Sequence, residues 1–113
     1  MGYYAEMTHN LRVKPELIDK VRQEIEEWCA SEGEPDLDDF RHYFFPHIKV
    51  DDDGSVEFTT SYLKPYNDTD FAKWLASRVE DGFVKFIGDD ETLWEYWFNG
   101  KGDYWLIAYD ERW

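Results

Sequence analysis

Cysteine, long apolar runs and basic side chains are scarce in this chain. The single cysteine, Cys29, excludes a framework of internal disulfides and fits a reducing compartment. No apolar run reaches the length of about 18 residues that a membrane-spanning helix needs. The opening Met-Gly-Tyr-Tyr lacks the pattern of a secretory signal peptide. Together these absences predict a cytoplasmic protein that does not cross a membrane.

The shortage of basic side chains leaves a strongly acidic protein. Twelve Lys and Arg face 26 Asp and Glu, which gives a formal net charge of −14. Such a charge disfavours direct binding to nucleic acid or to an anionic membrane. The chain nevertheless has six Trp, eight Tyr and eight Phe among its 113 residues. Disordered acidic chains lack such side chains, so residues 1–113 are predicted to fold as a single domain.

Apolar spacing and turn residues predict the element order β-α-β-β-α-β-β-β. The predicted strands cover residues 3–11, 43–50, 56–62, 83–87, 92–98 and 104–109. A first helix opens at Pro15 and ends at Gly33 and Pro35, and a second, amphipathic helix ends at Gly82. We expect an α+β fold, with an antiparallel sheet of about six strands and two helices on one face. The first six elements have the order of a ferredoxin-like domain.

The first predicted helix has one apolar stripe. It consists of Leu17, Ile18, Val21, Ile25, Trp28 and Cys29. Its spacing places Ile25 and Trp28 in the core and predicts that Cys29 is a core thiol. Acidic neighbours raise the pKa of a thiol, which disfavours catalysis by Cys29. No nucleophile is paired with a base in the sequence, so no catalytic residue and no cofactor are predicted.

The candidate metal ligands do not have the spacing of a known site. With Gly54 at position 6 of a calcium-binding loop, Lys49 falls at position 1 and Thr60 at position 12. Lysine cannot ligate a cation, and Thr60 stands where the bidentate glutamate is needed. Residues 51–54 are therefore predicted to form a hairpin turn. His9, His42 and His47 lack the spacing of a zinc site, so no tightly bound metal is expected.

The strongest signal is a run of acids without a Lys or Arg between Gln23 and Phe40, here called the acidic segment. Its members are Glu24, Glu26, Glu27, Glu32, Glu34, Asp36, Asp38 and Asp39. Such a surface can stand in for nucleic-acid phosphates and occupy a cationic cleft of another protein. The alternative is a solvated face that serves only solubility. Further acids cluster at residues 51–53 and 89–91.

Tryptophan in the last third is the second signal. Trp94, Tyr96 and Phe98 alternate with Leu93, Glu95 and Trp97, so both faces of the final strands carry large apolar groups. One face must cover the helices, and the other is either a second core layer or an exposed patch. Tryptophan is a favoured interface anchor. The candidate anchors are Trp94, Trp97, Trp105 and Trp113, and a homodimer through this surface is one expectation.

Two stretches carry a resemblance to small acidic phage and bacterial proteins of unknown function. They are the opening Met1-Gly2-Tyr3-Tyr4 and the run that includes Asp81-Gly82-Phe83, Phe86, Gly88-Asp89-Asp90 and Trp94-Glu95-Tyr96-Trp97-Phe98. The resemblance implies phage or mobile-element biology and brings no particular activity with it. We therefore expect a non-enzymatic inhibitor, of the anti-CRISPR or anti-restriction type, that occludes the nucleic-acid-binding surface of a host defence protein. The alternative is a small interaction or assembly module.

Overall fold

Seven strands and three helices lie in residues 2–31 and 33–109, the parts of the chain that the structure, a computed structural model, describes. In chain order they are β1 (Ala5–Asn10), α1 (Ile18–Ser31), α2 (Phe40–Phe44), β2 (Ile48–Val50), β3 (Val56–Phe58), β4 (Tyr62–Leu63), α3 (Asp68–Ala76), β5 (Asp81–Gly88), β6 (Leu93–Asn99) and β7 (Tyr104–Tyr109). Short 3₁₀ turns at Pro15–Leu17 and Phe45–His47 precede α1 and β2. The α+β class predicted from the sequence is confirmed.

The main sheet has five strands in the order β4-β1-β5-β6-β7, and all neighbouring pairs are antiparallel. The hairpin of β2 and β3 forms a separate two-stranded sheet. The expected single sheet of about six strands, with its ferredoxin-like start, is therefore divided in two. Isolated bridges from Arg12 to Ser55 and from Val13 to Val79 connect the chain after β1 to the hairpin and to the segment after α3.

One face of the main sheet, here called the inner face, forms the floor of the core. Met7, Val84, Phe86, Tyr96 and Phe98 lie on it and are buried. Their neighbours along the strands are exposed or partly exposed, except Glu95, which is buried on the other face. Helix α3 packs over β6 and β7, and α2 packs against α3. Helix α1, which was expected on the same face, packs instead against β2 and the 3₁₀ turn at Phe45–His47.

The prediction of a strand over residues 43–50 is wrong for its first five residues. Phe40–Phe44 is helical, because the Asp39 side chain accepts the amide hydrogen of Arg41 at 2.9 Å and caps the helix. Pro46 then suits the start of a 3₁₀ turn. The aromatic residues that suggested a strand are buried here by helix packing, which overrides β-propensity.

Two other predicted boundaries also differ. The return strand over residues 56–62 is broken into β3 and β4, which belong to different sheets. Gly82 does not end a helix, because α3 stops at Ala76 and Gly82 lies within β5. A Cβ at Gly82 would lie 2.2 Å from the carbonyl oxygen of Asn10 on the adjacent chain segment, which explains the glycine.

Helix α1 follows the predicted stripe except at its end. Val21 and Ile25 are buried, and Trp28 is half-buried with its ring edge-on to Phe45 at 5.7 Å. Cys29 is exposed, so its assignment to the core is wrong. The residues that follow it in the helix are exposed as well, so the last turn extends past the elements on which α1 packs.

The predicted turn at residues 51–54 is confirmed. The amide of Gly54 donates to the carbonyl of Asp51 at 2.9 Å, and the Asp53 carboxylate accepts the amide hydrogen of Ser55 at 3.0 Å. Gly54 has a φ of +90°, and a Cβ there would lie 2.6 Å from the carbonyl oxygen of Val13. The turn therefore requires glycine for its own conformation and for contact with the chain after β1.

We expect Phe44→Ala to lower the free energy of unfolding by about 3–5 kcal/mol, because it removes a fully buried ring and leaves a cavity. Urea denaturation measures the change. Leu37→Ala is the control, since Leu37 is 64% exposed and should change stability by less than about 0.5 kcal/mol. Similar effects of the two substitutions would contradict the placement of Phe44 in α2.

Candidate functional site

The acidic segment spans the second half of α1, the loop after it and the cap of α2. Glu26, Glu27, Glu34, Asp36 and Asp38 are exposed. Glu32 lies outside the described residues. The loop is ordered by local bonds, since the Asp36 carboxylate accepts the amide hydrogen of Asp38 at 2.9 Å. The exposed acids are therefore presented on a defined backbone.

Glu24 has a structural role that the sequence did not reveal. Its carboxylate accepts hydrogen bonds from Trp74 Nε1 at 3.0 Å and from Arg78 Nε and Nη2 at 3.1 and 3.2 Å. The Arg78 guanidinium also lies over the Trp74 ring, 4.8 Å from its centre. Glu24 thus joins α1 to the end of α3, and its charge is balanced within the molecule.

Asp39 is the second member of the segment with an internal role. Its carboxylate caps α2 and accepts a forked pair of hydrogen bonds from the Arg41 side chain, the shortest being 2.7 Å from Nη2. The hydrogen bonds from Arg41 lower the pKa of the Asp39 carboxyl, so it stays ionised at neutral pH. Arg41 in turn lies 5.7 Å from the centre of the Trp28 ring.

Four carboxylates surround one depression of about 430 Å³ beside α2. Asp36, Asp38, Asp39 and Asp70 line it together with Phe40. Sequence reasoning missed Asp70, which lies on α3, because an acid in the first turn of a helix is an ordinary feature. The fold therefore adds one acid from a distant helix to those of the acidic segment.

The C-terminal end of α1 is also negatively charged. Its last turn carries no basic side chain, although cations are the side chains that stabilise this end of a helix. Glu26 and Glu27 lie one turn earlier and are exposed. The helix carbonyls and the carboxylates thus contribute charge of the same sign.

The other acidic clusters are largely occupied by local contacts. Asp52 forms an ion pair with Arg22 at 2.8 Å. Asp89 accepts the hydroxyl hydrogen of Tyr62 at 2.6 Å, and Asp90 accepts that of Tyr3 at 2.7 Å. These acids are exposed like those of the acidic segment, but their hydrogen bonds fix turns and strand ends.

Within residues 2–31 and 33–109, no three His, Cys, Asp or Glu side chains are placed to hold a metal ion. His9 packs edge-on against Phe58 at 4.7 Å, and its burial lowers the pKa of the imidazole. His42 packs against Tyr43 at 4.9 Å.

The candidate tryptophan anchors do not all lie on the same face of the sheet. Trp94 faces inward, where its Nε1 donates to Asp68 at 2.8 Å and its ring stacks on Phe86 at 5.2 Å. It is half-buried and belongs to the core rather than to a docking surface. Trp97 and Trp105 lie on the outer face, and Trp113 lies outside the described residues.

The outer face of β5, β6 and β7 is an exposed apolar patch, which resolves the alternative left open by the sequence. Trp97 is 41% exposed and Trp105 53% exposed, and they are direct cross-strand partners. Phe83 stacks on Trp97 at 5.0 Å. The outer-face residues Ile87, Ile107 and Tyr109 are also exposed. We call these six residues the outer apolar patch.

We expect Glu24→Gln to lower the free energy of unfolding by about 1 kcal/mol, because it weakens charge-assisted hydrogen bonds between α1 and α3. Glu27→Gln is the matched control, since the exposed Glu27 accepts one bond from Gln23 on its own helix. The control should change stability by less than about 0.5 kcal/mol in urea denaturation. Equal effects would show that Glu24 is only a surface charge.

The Tyr3–Asp90 hydrogen bond predicts how the stability of the fold depends on pH. Burial, and then the Asp90 carboxylate, raise the pKa of Tyr3 to about 12 from an ordinary 10.0. The neutral phenol is favoured in the fold, so its stabilisation is complete below pH 10 and is lost as the pH rises towards 12. Burial also raises the pKa of Tyr96.

Tyr3→Phe should therefore be less stable than the wild type at pH 8, by about 1 kcal/mol, and should lose less stability between pH 10 and 12. Urea denaturation at a series of pH values measures both changes. Tyr96 is present in both proteins, so its contribution cancels in the comparison. Parallel curves for the two proteins would contradict the contact.

No helix in the described part of the chain is long and apolar enough to cross a membrane. Comparison with known proteins gives no family assignment. No protein-family model matches the chain, and neither a curated protein nor a solved structure is significantly similar to it. Any statement of function must therefore come from the acidic segment and the outer apolar patch themselves.

Proposed function

We propose that this protein is a non-catalytic, cytoplasmic binding protein whose acidic segment occupies the basic, nucleic-acid-binding surface of another protein. The observation that carries the proposal is the group of exposed carboxylates at Glu26, Glu27, Glu34, Asp36 and Asp38, with Asp70 beside them. The resemblance noted in the sequence makes a host defence protein the expected partner.

The division of the acids supports this reading. Glu24 joins α1 to the end of α3 and Asp39 caps α2, while Glu26, Glu27, Glu34, Asp36 and Asp38 are exposed. A rigid support lowers the ordering cost of binding. Self-repulsion among nearby acids destabilises the fold, so their retention on one ordered segment is consistent with a binding role.

The chemistry of the depression fits separate Lys or Arg side chains. Carboxylates bind guanidinium groups through paired, charge-assisted hydrogen bonds. Phe40 at the floor of the depression offers an aromatic surface beside them. Surfaces that bind phosphates present several such cations, and association with them is fast at low salt. The Debye length of ~8 Å at physiological ionic strength limits the attraction to short range.

A second candidate function is an interaction or assembly module whose acidity serves only solubility. The outer apolar patch favours it, because exposed apolar surfaces of this kind mark interfaces. The two candidates differ in the surface used and in the effect of salt on binding.

We expect a variant with Glu34, Asp36 and Asp38 all changed to Lys to lose its partner. The variant and the wild type are used as baits for bacterial host lysate, and retained proteins are eluted with increasing salt. A protein retained by the wild type should be absent with the variant, and duplex DNA added in excess should displace it. The loop carries little of the core, so the variant should denature at nearly the wild-type urea concentration.

The matched control changes Glu6, Glu57 and Asp81 to Lys, which alters the net charge by the same amount at exposed positions outside the segment. It should retain the partner. Loss of the partner in both variants would show that only net charge matters. Retention by both, insensitive to salt, would reject the proposal and favour the outer apolar patch.

A further inference from the structure

We propose that two copies of this chain associate by antiparallel pairing of their β7 strands, which forms one continuous sheet across the dimer. This inference concerns a different surface from the acidic segment and stands independently of it. It rests on the edge of the main sheet, on the exposure of both faces of β7, and on the charge of the surroundings.

Strand β7 is an unprotected edge. It pairs with β6 on one side, and within the described residues no strand lies on its other side. Its six residues, Tyr104–Tyr109, include no charge and no proline. Native edge strands are usually short or carry such residues, because an open row of backbone groups pairs with other strands. The opposite edge, β4, has only two residues and is followed by Lys64 and Pro65.

Both faces of β7 expose apolar side chains. On the outer face Trp105 is 53% exposed and Ile107 is 40% exposed, while on the other face Leu106 is 53% exposed. A protein that stacks on the outer face would leave Leu106 in water. A strand laid along the edge contacts both faces at once, because successive side chains of a strand alternate between them.

The apolar area fits a dimer. At roughly 200 Å² for a large side chain, the exposed parts of the β7 side chains Trp105, Leu106, Ile107 and Tyr109 amount to about 400 Å². A standard interface buries about 800 Å² on each partner. Paired backbone and neighbouring side chains along the strands supply the remainder.

The charge of this region selects a second copy as the occupant. Two molecules of net charge −14 repel each other, so they can associate only where charge is locally balanced. Strand β7 has no charged side chain, and the acids of the outer face, Glu6, Asp81 and Glu95, lie on β1, β5 and β6. A basic partner therefore finds no acid on β7, whereas an identical uncharged strand meets no local repulsion.

Antiparallel pairing of identical strands also satisfies two-fold symmetry. The axis is perpendicular to the sheet, so the outer face of one copy continues into the outer face of the other. Trp105 and Ile107 of one copy then lie beside the same residues of its partner. Leu106 does the same on the opposite face.

Sedimentation equilibrium of the full chain over a range of concentrations tests the proposal. The wild type should approach twice 13.7 kDa, and Leu106→Lys should weaken dimerisation by about ten-fold or more. Leu37→Lys is the matched control, since it makes the same change at a leucine that is 64% exposed, and it should leave dimerisation unchanged. Circular dichroism checks that both variants fold.

Salt separates this proposal from the proposed function. Added salt should strengthen dimerisation by screening the repulsion between copies, whereas it should weaken binding through the acidic segment. Hydrogen exchange should slow in β7 as the protein concentration rises. A monomer at all concentrations, or equal effects of the two Lys substitutions, would overturn the proposal. A dimer that Trp97→Lys abolishes and Leu106→Lys leaves intact would show face-to-face stacking instead.

Discussion

The stacking of Phe44 on Phe71 is the contact on which the position of the acidic segment depends. Their ring centres are 4.0 Å apart with planes 14° from parallel, and Phe86 of the sheet meets Phe44 edge-on at 6.3 Å. This contact holds α2 against α3 above the inner face. Because Asp39 caps α2, the position of that short helix determines where the preceding loop and its carboxylates lie. The packing of the aromatic core thus determines the position of the charged surface.

The net charge of −14 imposes the second constraint. The fold meets it by using many acids as internal hydrogen-bond acceptors. Asp68, for example, accepts from Trp94 and from the buried Tyr96 hydroxyl at 2.8 and 2.7 Å. Acids used in this way contribute charge-assisted hydrogen bonds to the fold. The acids of the loop at residues 33–38 add much less to the fold, and this contrast defines the candidate binding surface.

The sequence predicted the last three strands well because two independent signals agreed there. Alternation places Tyr96 inward and Trp97 outward, and the turns between the strands contain glycine. Residues 43–47 were mispredicted because their β-forming aromatics conflicted with weaker local signals, the Asp39 cap and Pro46. Tertiary packing decided that conflict, and single-sequence patterns do not report it.

The candidate site was visible in the sequence only in part. A run of acids without a basic residue is a local property and was found directly. The pairing of Glu24 with Arg78, 54 residues away, and the approach of Asp70 to the depression depend on how helices pack. No local pattern distinguishes such acids from exposed ones. The sequence therefore identified the acidic segment as a candidate and could not divide its members into structural and exposed acids.

The two proposed surfaces have a geometric consequence when they are taken together. The acidic segment lies with the helices on the inner side of the main sheet, and the outer apolar patch lies on the other side. Edge-to-edge pairing about an axis perpendicular to the sheet keeps both helical layers on the same side. The dimer would then present two acidic segments in the same direction. A basic surface long enough to contact both acidic segments would bind with higher affinity, because binding at one segment raises the effective concentration at the other. This gain in affinity requires no additional contact within either site.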